Sequence, residues 1–197
     1  MHVLVVFESL FGNTLDVAEA IAEGLRDGRG PVAVDCLSAA QRQPADLPAA
    51  DLLVVGGPTH NHGMATRASV IKGRQLERRL ALREQRVLPR RRVLLTEPTQ
   101  APGAPAEQDA VDADLQAWLR ALPRTSGRSA AAFDTRLGSR WSGGAAGGIA
   151  RRLRRHGYRL LVPPEGFLLE GVWGPMREGE VARAHDWACG LRRQLLL

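Results

Sequence analysis

Cysteine is scarce in this chain: Cys36 and Cys189 are the only two among 197 residues. They stand far apart, in neither metal-ligand nor redox spacing. A disulfide framework and a Cys-rich metal domain are therefore excluded, and both residues read as reduced thiols of a cytoplasmic protein. Aromatic residues make up only 5% of the sequence, with Tyr158 the single tyrosine. A core must then be assembled from Val, Leu, Ile and Ala, which suits a parallel sheet covered by Ala-rich helices. No apolar run approaches the roughly 18 residues of a membrane span. The apolar stretch Val3 to Phe7 is too short for a signal-peptide core and runs into Glu8. Lysine is nearly missing as well. Lys72 stands alone, so the net charge of +6 is carried almost wholly by arginine. Residues 67–92 hold about +8 of it, leaving about −2 for the rest of the chain. The excess reads as one segment rather than a basic fold, which disfavours nucleic acid as the partner.

What is present is an alternation of short apolar strands and amphipathic helices. His2 to Glu8 reads as a buried strand, followed by a helix with Val17, Ala20, Ile21, Gly24 and Leu25 on one face. Asn13 is the expected N-cap and Asp16 favours the same end, while Gly28 and Gly30 stop the helix. Val32 to Asp35, Asp51 to Gly56, Ala130 to Asp134 and Tyr158 to Val162 supply four more strands, with Phe167 to Glu170 continuing or flanking the fifth. Helices are expected over Glu107 to Leu122, from near Gly143, and along a last stripe of Val181, Ala184, Ala188, Leu191 and Leu195. Arg74 to Pro105, Arg-rich and then Pro- and Gly-rich, reads as an insertion or mobile loop. The expected fold is one α/β domain over residues 1–197, a doubly wound five-stranded parallel sheet in the order 2-1-3-4-5. Ligands of such sheets sit outside the carboxyl ends of the strands, beside the switch point.

Three segments fall at that edge. The first strand ends in Ser9-Leu10-Phe11-Gly12-Asn13-Thr14 and enters a helix directly. Small and hydroxyl residues at a helix N-terminus make an anion cradle, because first-turn N–H groups point outward and the helix end carries partial positive charge. The loop has neither a lysine nor the G-x-G-x-x-G spacing, so it is no P-loop and no dinucleotide fingerprint. The third strand ends in Gly56-Gly57-Pro58-Thr59-His60-Asn61-His62-Gly63-Met64. Two histidines two apart, with no third ligand nearby, do not make a metal site, and no metal is expected. The fourth strand ends in Asp134-Thr135-Arg136-Leu137-Gly138-Ser139-Arg140-Trp141.

The stretch VVFESLFGNTLDVAEAIAEGL resembles the flavodoxin phosphate-loop signature: apolar strand, aromatic residue, Ser, a two-residue gap, Gly-Asn-Thr, then an Ala-rich helix. The Gly-x-Pro-Thr after the third strand is similar to the flavin loop of that family, above all in its quinone-reductase branch. The resemblance covers about residues 1–65 and 129–195. It implies FMN as cofactor, with Ser9, Leu10, Phe11, Gly12, Asn13 and Thr14 around its phosphate. Pro58, Thr59, His60, Asn61 and Gly63 would lie along one side of the ring, and Thr135, Arg136, Gly138 and Trp141 in the second ring-binding loop. Trp141 replaces the usual family tyrosine as the stacking candidate.

With FMN bound, the resemblance implies electron transfer. An oxidoreductase acting on quinone-like acceptors, with NAD(P)H as donor, stands first. A carrier serving a redox partner protein, or a non-catalytic module with a basic binding segment, remains open, as does a homo-oligomer. Arg136 and Arg140 would place cations where the family's electron carriers place acids, which implies a less negative potential.

Overall fold

The computed structural model describes residues 1–28, 30–60, 63–64, 115–138, 144–171 and 174–196. The expected insertion over Arg74 to Pro105, as well as Asn61, His62, Arg140 and Trp141, lies outside the described residues.

The elements are β1 (His2–Phe7), α1 (Asn13–Arg26), β2 (Ala33–Ser38), β3 (Leu52–His60), β4 (Gly63–Met64), α2 (Leu115–Ala121), β5 (Ser129–Leu137), α3 (Ala145–Arg155), β6 (Arg159–Leu160), β7 (Glu165–Leu169) and α4 (Glu180–Leu195). The parallel order is β2-β1-β3-β5, and both β6 and β7 pair with β5 beyond it. This is the expected order 2-1-3-4-5, with the fifth position divided in two. Leu161 to Pro164 separate the pieces, and Pro163-Pro164 removes two ladder donors there. The short antiparallel β4 folds back on the end of β3.

The period-2 alternation of β1 sorts its side chains onto two covered faces. Val3, Val5 and Phe7 pack with Val17, Ile21 and Leu25 of α1 and with Ala184, Ala188 and Leu191 of α4. Leu4 and Val6 pack on the other face with Leu115, Trp118 and Leu119 of α2 and with Ile149 and Leu153 of α3. Two glycines of β3 set how closely these layers approach. A Cβ on Gly56 would collide with the ring of Phe133, its partner in register, and one on Gly57 would lie 2.7 Å from Leu115 Cδ2.

Two expectations are corrected. Val181 is 40% exposed, not in the core stripe of α4. The buried Glu180 takes the inward place instead, because its carboxylate accepts the Leu168 N–H at 2.6 Å and pairs with Arg183 at 2.7 Å. The basicity is also not confined to residues 67–92. Asp134 is the only acid between Leu115 and Leu160, so Arg120, Arg124, Arg128, Arg151, Arg154, Arg155 and Arg159 form a second cationic block. The acids of the first 60 residues conceal this block in the net sum. Among the described residues no helix is long and apolar enough to cross a membrane.

Candidate functional site

The carboxyl ends of β1, β3 and β5 are adjacent in the sheet, with Phe7 opposite Gly56, Gly57 opposite Asp134 and Pro58 opposite Thr135. The three loops singled out in the sequence therefore meet at one edge. Since β2 lies on one side of β1 and β3 on the other, the chain leaves this edge in opposite directions and opens a crevice there.

The loop Ser9–Thr14 occupies the crevice. Ser9, Leu10, Phe11 and Asn13 are half-buried, and Gly12 is exposed with φ +88°. Gly12, not Asn13, is the N-cap of α1, and Asn13 is the first helical residue. The cause is geometric, because the left-handed φ that the turn demands is one that glycine adopts without strain. Ser9 Oγ accepts the Leu15 N–H at 3.2 Å and so takes one of the first-turn donors. Thr14 turns inward: its buried hydroxyl shares a 2.8 Å hydrogen bond with the Thr135 hydroxyl, linking the phosphate-type loop to the end of β5. Nothing lies within 4 Å of where a Gly12 Cβ would stand, and residues 9–14 contain no acid. An open glycine, a helix N-terminus and no carboxylate in the loop fit an anionic phosphate group.

A second link binds the other two loops. Asp134 is fully buried, and its Oδ2 accepts the Thr59 hydroxyl at 3.1 Å and the Ala146 N–H at 2.8 Å. Thr59 Oγ1 in turn accepts the Ala145 N–H at 2.9 Å. The first two donors of α3 are thus satisfied by side chains from β5 and β3, and the carboxylate sits at the positive end of the helix. Burial raises the Asp134 pKa above the ordinary carboxylate value, opposed by the Ala146 N–H, Arg136 and the Thr59 hydroxyl. Arg136 lies on the same face, with Nε 3.6 Å from Asp134 Oδ1. Its guanidinium fills the space that the missing side chains of Gly144 and Gly166 leave open.

The expected site residues are thus distributed as follows. Residues 9–14, Pro58, Thr59, Thr135, Arg136 and Gly138 gather at one edge, and the ends of β3 and β4 bring His60 and Gly63 to it through their pairing. The hydroxyls of Thr14, Thr59 and Thr135 are used within the protein. Sequence reasoning missed the turn after β7. Arg177 N–H bonds to Leu168 O and Glu170 N–H to Pro175 O, so the chain doubles back beside the site. A Cβ on Gly174, which has φ +95°, would sit 2.5 Å from Asn13 Nδ2, and one on Gly138 would sit 3.3 Å from Arg177 Nη2. Asp134 carried a usable signal, an acid at the end of an otherwise apolar strand. Gly174 and Arg177 carried none, because nothing local marks a turn that acts across the sheet.

Comparison with known proteins agrees with this geometry. The flavodoxin family model matches residues 5–96. The fold is flavodoxin-like. A flavodoxin from the domain Archaea superposes with a TM-score of 0.58 at 18% identity, each chain covered in full. Flavodoxin 1 from Bacillus cereus gives 0.61 at 14% identity, covering 100% of this chain and 97% of its own. A WrbA-like flavodoxin from Agrobacterium tumefaciens gives 0.53 at 13%, covering 99% and 97%. No curated protein sequence matches.

Proposed function

We propose that this flavodoxin-like chain binds FMN at the edge formed by β1, β3 and β5 and uses it as an oxidoreductase acting on quinone-like acceptors. The observation that supports the reading is the cross-bracing of the three loops, by Thr14 to Thr135 and by Thr59 to Asp134 and α3. Such bracing holds a cradle in place before any ligand arrives, which lowers the ordering cost of binding. Residues 9–14 offer first-turn N–H groups to the phosphate. Pro58, Thr59, Gly138 and the segments next to them border the ring. The flavin supplies the redox chemistry, and the protein supplies position and electrostatics.

The charge around the site favours the reductase over the carrier. Arg136 and Arg177 both reach the second ring-binding loop, and Arg136 is only partly neutralised by Asp134 at 3.6 Å. Cations there stabilise the negative charge that reduction places on a flavin. Arg177→Ala is therefore expected to lower the two-electron midpoint potential by about 30 mV or more, corresponding to about 1.4 kcal/mol. Arg136→Ala should lower it too, since the cation is lost and the Asp134 charge beside it is uncovered. Spectroelectrochemistry checks both, and an unchanged potential in the two variants removes the electrostatic argument.

The function itself is tested by adding FMN, removing the excess and recording the absorption spectrum, then following NAD(P)H oxidation with a soluble quinone. Equimolar flavin with quinone-dependent turnover is the expected result. Equimolar flavin without turnover would favour the carrier, and a colourless protein would reject the FMN reading altogether.

A further inference from the structure

Away from the candidate flavin site, at the far end of α1, three side chains with metal-binding atoms converge. His185 and Cys189 are four residues apart on α4 and so share one face of the helix. Asp27 is the C-cap of α1. Cys189 Sγ lies 3.8 Å from His185 Nδ1, and Asp27 Oδ2 lies 3.9 Å from His185 Nε2. One ligand atom from each of the three falls within 4.8 Å of the other two.

We propose that Asp27, His185 and Cys189 form a binding site for a borderline-soft divalent cation of the Zn2+ class. Tetrahedral zinc with bonds of about 2.0–2.3 Å separates neighbouring ligand atoms by roughly 3.5 Å. Cys189 Sγ and His185 Nδ1 are already near that spacing, while the 3.9 Å contact of Asp27 is to the other ring nitrogen, so the exposed Asp27 side chain must rotate toward the Nδ1 side for one cation to meet all three. Thiolate, imidazole and carboxylate together suit zinc better than Mg2+ or Ca2+, which take oxygen ligands. Three protein ligands leave a fourth position for water.

The packing of α1 on α4 fixes the arrangement. Gly24 lies so close to α4 that a Cβ there would collide with the His185 carbonyl. The Cys189 thiol points at Gly24 O, 3.4 Å away, and is thereby held beside the end of α1. One turn further on, buried Arg192 donates to Leu25 O, Arg26 O and Gly30 O, which anchors the stretch that carries Asp27. The guanidinium is occupied by those carbonyls, while Asp186, with Oδ1 3.7 Å from His185 Nδ1, adds a second carboxylate beside the cluster. On binding, the cation replaces the thiol proton, so Zn–S forms as S–H breaks and one proton passes to the buffer. Such a cation would tie the C-terminus of α1 to α4, on the same helix whose N-terminus faces the candidate flavin site. The proposal does not depend on the flavin reading.

Titration of the purified, chelator-treated full chain with Zn2+, and separately with Co2+ as a spectroscopic probe, tests the site. The expected result is one equivalent of Zn2+ bound in the micromolar range or tighter, with a thiolate-to-cobalt charge-transfer band and a Tm that rises with Zn2+. Cys189→Ser and His185→Asn should each weaken binding by about tenfold or more and abolish the Tm rise. The exposed Asp27→Asn, which poses no folding risk, should weaken it as well. Cys36→Ser should have no effect, because Cys36 lies on β2, with its thiol pushed up to about 11 by burial. Millimolar or no binding in the unaltered chain, or one-equivalent binding that survives both Cys189→Ser and His185→Asn, overturns the proposal.

Discussion

Asn13→Asp is expected to weaken FMN binding by about 100-fold while leaving the ligand-free protein as stable as before, or slightly more so. Asn13 opens α1 directly after the left-handed Gly12, so its side chain stands at the positive end of the helix. An acid in the first turn stabilises a helix by about 0.3–1 kcal/mol. A phosphate held by the same turn reverses the sign of the effect. It brings about −1.5 to −2 charges, and each interacts with a carboxylate about 5 Å away by roughly 3 kcal/mol at an effective dielectric near 20, before salt screening. Two unlike outcomes from one near-isosteric change separate a helix cap from a phosphate cradle. Flavin fluorescence quenching gives the affinity and urea unfolding of the apoprotein gives the stability. Unchanged affinity in the variant would show that the phosphate is not held at this turn.

Asp134→Ala is expected to destabilise the fold by about 2–4 kcal/mol and to loosen both ring-binding loops at once. Removing the carboxylate leaves the Thr59 hydroxyl and the Ala146 N–H without their acceptor in a buried place, and each such group costs about 1–3 kcal/mol. It also deprives Arg136 of its counter-charge. Part of that loss is offset, because Asp134 itself is buried at a cost that raises its pKa. The sign of the pH effect follows from that shift. With the folded pKa above the ordinary value of 3.8, the contribution of Asp134 is fully present below about pH 3.8 and declines as pH rises through the folded pKa. Asp134→Asn removes this titration. Urea unfolding from pH 4 to pH 7 should therefore show a stability that falls relative to Asp134→Asn as pH rises. A difference that stays flat across that range would mean the carboxyl is ionised with an ordinary pKa.

Much of the fold was legible because its signals are local. The β-branched run Val3 to Phe7 and the stripe of Val17, Ala20, Ile21, Gly24 and Leu25 each report a periodicity that burial then obeyed. Where a local signal is shared by neighbouring residues, it does not decide between them. Val181 fits the period of α4 as well as Glu180 does, and only the Leu168 N–H of β7 decides which of them turns inward. The N-cap of α1 is Gly12 and not the expected Asn13 for a similar reason, since Asn is a good cap in general but glycine accommodates φ +88° without strain.

The candidate site divides along the same line. The sequence by itself determined the strand order and the three loops at the sheet edge, because strand, turn and helix propensities and the Gly-Asn-Thr signature all act within a few residues. Only the tertiary structure decided what those loops do with their side chains. Thr14 bonds Thr135 across 121 residues of chain, Thr59 bonds Asp134 across 75, and Asp27 meets His185 and Cys189 from the other end of the sequence. Hydrogen-bond and ligand geometry operate over about 3 Å in space, and no local propensity encodes which distant residue will be brought within that distance.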